Sequence, residues 1–112
     1  MSNIRLCLSI SVKGVLSIPT TKRILIHREF PWNDSELPKE GSFLNLSYDT
    51  GDGVVMHRVY ITSSPEYIAS GGHSGSWTIL NPSIFGSVYF EDIDSQNVFE
   101  TDLLHRGFDV DE

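Results

Sequence analysis

The chain has one cysteine, Cys7, among its 112 residues. A single thiol cannot close an internal disulfide, so no disulfide framework supports the fold, and such usage favours a reducing compartment. Long apolar runs are also missing. The segment from Ile4 to Ile18 is interrupted by Ser9 and Ser11 and broken at Lys13-Gly14, well short of the roughly 20 residues a membrane-spanning helix needs. Its alternation is that of a strand rather than an export segment. The expectation is a cytoplasmic protein starting at its own Met, with no membrane partner.

Metal-ligand spacings are lacking too. His27, His57, His73 and His105 contain no His-x-His and no i,i+4 helical pair, and one Cys cannot make Cys-x-x-Cys. His27 and His57 are expected on neighbouring strands. Asp92-Ile93-Asp94 and Asp49-Thr50-Gly51-Asp52-Gly53 lack the regular alternation and the distant Glu of a calcium loop. No metal and no cofactor is expected. Gly72-His73-Ser74-Gly75 approaches the nucleophile elbow of hydrolases, but Ser76 stands where the last glycine belongs. That elbow also needs a parallel strand and a helix around it. The segment reads as a mobile loop and the protein as no enzyme, with a small enzyme using His73 as the third-ranked alternative.

Positive charge is scarce, with 8 Lys and Arg against 15 Asp and Glu, for a net charge of −7. Lys13, Lys22, Arg23, Arg28, Lys39 and Arg58 are sparse and balanced by acid, which argues against direct nucleic-acid binding. The imbalance is local. Residues 1–90 are neutral, while Glu91, Asp92, Asp94, Glu100, Asp102, Asp109, Asp111 and Glu112 face only Arg106 beyond them.

What the chain does have is two-residue alternation. Ile4, Leu6, Leu8, Ile10 and Val12 mark the core face of a strand over 4–12. Val15–Ile18 is expected to fold back on it. Residues 22–30 form a second strand, with Ile24, Ile26 and Phe30 on one side and Arg23, Leu25, His27 and Glu29 on the other. Phe43–Tyr48 is a third, with Leu44, Leu46 and Tyr48 inward. Asp49–Gly53 turns into Val54–Thr62, which is apolar on both faces and therefore central. Trp77–Leu80 and Gly86–Glu91 complete the set.

Residues 94–106 form the one expected helix, capped by Asp94 and closed by Gly107. Phe99 and Leu103 share one helix face. The fold class is therefore mainly β (α+β): an antiparallel sheet of about five to seven strands curled into a small barrel or sandwich, with one C-terminal helix. The globular domain spans 1–107, and 108–112 is an acidic tail.

A charge run is commonly just a solvated helix face. Its functional reading is a surface for a protein partner with a basic surface, made by Glu91, Asp92, Asp94, Glu100 and Asp102. Trp32, in a polar loop beside Pro31, either caps the core or anchors that interface. This reading is of a small non-enzymatic inhibitor or neutraliser, comparable in role to immunity proteins, antitoxins and phage counter-defence proteins. The alternative is a structural or assembly subunit of a phage or secretion particle, whose edge strands pair between copies as a homo-oligomer.

Overall fold

A computed structural model describes residues 2–13 and 22–111. The expected return strand at Val15–Ile18 lies outside them. Eight strands and one helix are described: β1 (Ser2–Val12), β2 (Arg23–Trp32), β3 (Phe43–Asp49), β4 (Val54–Ile61), β5 (Ala69–Gly71), β6 (Trp77–Ile79), β7 (Ser83–Phe90), α1 (Ile93–Leu104) and β8 (Asp109–Asp111). Six strands make one sheet in the order β3-β4-β7-β1-β2-β8, curled into a half-barrel, and β5 and β6 form a separate hairpin.

The sheet is mixed rather than purely antiparallel, because β1 and β7 run parallel along Arg5↔Ser83 to Val12↔Phe90. Parallel neighbours need a long crossover. Here β2 to β6 lie between them in the chain, so short-range turn signals could not reveal the pairing.

The even residues of β1 carry the core. Ile4, Leu6, Leu8 and Ile10 are fully buried with Leu25, Val59, Ile61 and Ile84. Phe99 and Leu103 of α1 close over them, each such side chain contributing on the order of 1.5–3 kcal/mol by burial. Gln96 is the third buried helix residue, while Val98 stays exposed.

In β2 the inward residue is Leu25, not Ile24 or Ile26. The β1–β2 register shifts between Ile4 and Leu6, where Ile4 pairs with Phe30 and Leu6 with His27. That bulge places an extra residue in β2 and brings Phe30 to the side of Leu25 and His27, where it packs against the core. Ile24 and Ile26 face the opposite side and line a cavity of about 190 Å³ with Cys7 and Phe85. Burial raises the Cys7 thiol pKa there.

The helix starts earlier than its composition suggests. Asp92, not Asp94, is the N-cap: its backbone is extended and its Oδ1 accepts the Ser95 N–H at 2.7 Å. After α1, Gly107 adopts φ 94°. Phe108 then donates its N–H to the Leu103 carbonyl at 3.1 Å and enters the core at 4% exposure. Residues 109–111 pair with β2 from Ile24↔Asp111 to Ile26↔Asp109. The segment expected to fray as an acidic tail is thus an edge strand through Asp111, anchored by Phe108.

Gly86 sits where the sheet leaves no room for a side chain. A Cβ there would collide with Val59 Cγ1 and stand 3.5 Å from Leu8 Cδ2. Val59 is fully buried and has no free side to move toward. Gly86→Ala is expected to lower unfolding free energy by about 1–3 kcal/mol through overpacking, measured as a lower urea midpoint with an unchanged m-value.

Candidate functional site

A groove of about 330 Å³ runs between α1 and the β3–β4 hairpin, lined by Tyr48, Val55, His57, Val98, Phe99 and Asp102, with Asp94 and Ser95 at one end. Two periodicities build it. On α1, Asp94, Val98 and Asp102 are four apart and so lie along one helix edge, a line that Arg106 continues beyond the last turn. On the hairpin, Tyr48 pairs with Val55 and Leu46 with His57, which puts Tyr48, Val55 and His57 on the sheet face that α1 covers. The turn holding the two strands uses Gly51 at φ 92°, with the Thr50 N–H bonded to the Gly53 carbonyl at 2.9 Å.

Aromatic contacts floor the groove. His57 meets Phe99 at 4.5 Å between ring centroids and Phe90 at 5.7 Å, and stacks at 26° to Tyr48. The Tyr48 hydroxyl donates to Asp102 Oδ2 at 3.1 Å. Burial, then that hydrogen bond and the Asp102 charge, push the phenol up to about 12. Burial pulls His57 below its ordinary value, against the Asp102 carboxylate, which raises it.

Arg106 closes one end. Its guanidinium lies 4.5 Å from the Tyr48 ring centroid and donates to the carbonyls of Asp102 and Asp49, each at 2.8 Å. A planar cation thus already rests on one aromatic wall of the site.

The acidic residues singled out from the sequence do not form one patch. Asp94 and Asp102 share the groove. Asp92 is occupied as the cap, and its bonds to Ser95 hold its carboxyl below the usual range. Glu100 pairs with Arg23 at 2.9 Å. Glu91 approaches Lys13 at 3.6 Å with both side chains well exposed, a pair worth about 0–1 kcal/mol.

Trp32 is elsewhere. It is half-buried against the core and ties down its own loop by donating Nε1–H to the Glu36 carbonyl at 3.1 Å. His27 and His57 are not on neighbouring strands either, because β7 and β1 separate β4 from β2. His27 lies between Phe30 and Phe108, and His73 is on the exposed β5–β6 hairpin loop. Among the described residues no three His, Cys, Asp or Glu side chains gather as a metal site.

Sequence reading missed Tyr48, Val55, His57 and Val98 as site residues. Their signal was present in the alternation of the hairpin and the four-residue spacing on the helix; what was missing was the docking of one on the other. Comparison with protein families, curated proteins and solved structures returns no match for this chain.

The charge pattern has a direct test. His57 should titrate below 6.5 by NMR, and Asp102→Asn should lower it further by removing the charge that favours imidazolium. Because the folded pKa is depressed, the unfolded chain takes up a proton first as pH falls. The stability this group contributes is therefore complete above pH 6.5 and lost as pH falls toward the folded value, a slope that His57→Gln should flatten in denaturation series.

Proposed function

We propose that this protein is a small non-enzymatic binding protein, acting in the cytoplasm as an inhibitor or neutraliser, whose groove between α1 and the β3–β4 hairpin receives a Lys or Arg side chain from a basic protein surface. The observation that carries this reading is that Asp94 and Asp102 line one groove with Tyr48, Val55 and Val98. A carboxylate towards each end of the groove suits a cationic head, and the apolar walls between them suit the aliphatic stem that such side chains bury. The Arg106 guanidinium on Tyr48 supports the same recognition from within the chain.

Net charge adds a long-range term. At −7, the protein accelerates encounter with a basic partner and weakens that encounter as salt rises. The comparison with immunity proteins, antitoxins and phage counter-defence proteins is one of role and size. An assembly role is the second reading, favoured by the exposed edge of β3.

N-acetylarginine methylamide is the probe for the groove. Titration should shift the NMR signals of Tyr48, His57 and Val98, less so at high salt, and Asp94→Asn with Asp102→Asn should weaken binding at least tenfold. Shifts that are absent, or that survive both substitutions, would overturn the reading. Glu91→Gln with Asp109→Asn removes the same charge outside the groove and should leave binding within about twofold. Equal losses from the two pairs would mean that general charge, not the groove, binds the cation.

A further inference from the structure

Among the described residues the two edges of the main sheet are β3 and β8, and they are built differently. β8 is three residues long and reads Asp-Val-Asp. Short length and charge are the usual devices that stop an edge from pairing with another chain. β3 is seven residues long, and Phe43 to Tyr48 contains no charge and no proline. Among the described residues no further strand pairs with its outer side, which borders an open cavity of about 430 Å³ between Phe30–Asp34 and Leu44–Ser47, with the loop from Trp32 to Lys39 beside Phe43 and Leu44.

The hydrogen-bond phase of that edge can be read from its ends. Thr50 donates to the Gly53 carbonyl and Ile61 to the Ser42 carbonyl, each at 2.9 Å. Even positions of β3 therefore bond to β4. In an antiparallel ladder the alternate residues direct their N–H and C=O the other way, so Phe43, Asn45 and Ser47 present theirs to the free side. Asp49 would do so as well, but its carbonyl already accepts from Arg106 at 2.8 Å.

From these constraints we infer that two copies of the chain pair through β3, antiparallel, about a two-fold axis at Asn45. This rests on the assembly reading of the β3 edge and does not depend on the groove. In that register Asn45 faces Asn45 of the second copy, and Phe43 faces Ser47 in both directions, so each free N–H and C=O at these positions finds a complement. Leu44 faces Leu46 on the core side. Centring the axis on Leu46 instead would direct the Phe43 N–H at the Asp49 carbonyl that Arg106 holds. The pairing is isologous and closes after two copies, because β8 guards the opposite edge. No like charges meet along Phe43–Tyr48, while the net charge of −7 on each copy opposes approach at long range.

Sedimentation equilibrium across protein concentrations and two salt concentrations tests the inference. The expected wild-type result is a rise from 12.6 kDa to twice that mass, stronger at high salt because screening removes the mutual repulsion. Arginine binding in the groove should change with salt in the opposite direction, so the two ideas fail separately. Ser47→Pro removes an N–H that points away from β4 and should give a folded monomer. Asn45→Lys, at an exposed position, places like charges across the axis and should also give a monomer should the proline variant fail to fold. A wild-type chain that stays monomeric at millimolar concentration, or a dimer that survives Asn45→Lys, would overturn the inference.

Discussion

Ile4, Leu6, Leu8 and Ile10 project from one face of β1 and are completely removed from solvent. They stay so because β2 and β7 hold the two edges of the strand while α1 covers that face. Every other placement follows from this burial. The parallel β1–β7 pairing delivers the chain to the start of α1, and Asp92 caps the helix as it turns back over the core. Gly86 lets β7 lie close enough to Val59 and Leu8 for β4 to join the same layer. The β3–β4 hairpin then reaches past β7 and forms the second wall of the groove.

The same arrangement redistributes the negative charge. A neutral body with an acidic end suggests one electrostatic surface, yet each carboxylate is assigned by its neighbours. Asp92 serves the helix N-terminus, Glu100 holds Arg23, and Asp109 and Asp111 sit on an edge strand beside Ile26 and Ile24. Among the described acidic residues beyond position 90, Asp94 and Asp102 line a concavity together, beside aromatic rings and a half-buried imidazole. Specificity for a cation would come from that shape. The remaining charge would mainly set the rate and salt dependence of encounter.

Much of this was legible in the residues. Alternation identified β1 and β3, and the apolar run after the Asp49–Gly53 turn identified β4. The inward set Leu44, Leu46 and Tyr48, the Asp49–Gly53 turn and the shared face of Phe99 and Leu103 are all in the structure. Straight alternation groups Phe30 with Ile24 and Ile26, but the bulge between His27 and Phe30 moves it to the side of Leu25 and His27, and no residue type announces a bulge. Phe108–Asp111 looked like a tail because three residues of alternating Asp and Val have little strand signal by themselves; Phe108 burial and the free edge of β2 supply the rest.

By itself, the sequence determined the periodicity: which residues are apolar at a spacing of two or four, where the turns fall, and that the negative charge is concentrated after residue 90. Those are local properties, set by side-chain chemistry and backbone geometry over a few residues. Tertiary structure alone decided that β1 and β7 run side by side, that α1 meets the β3–β4 hairpin, and that Asp94 and Asp102 face one groove. Such contacts join residues far apart in the chain, and their free energy comes from jointly excluding water, which no local pattern encodes.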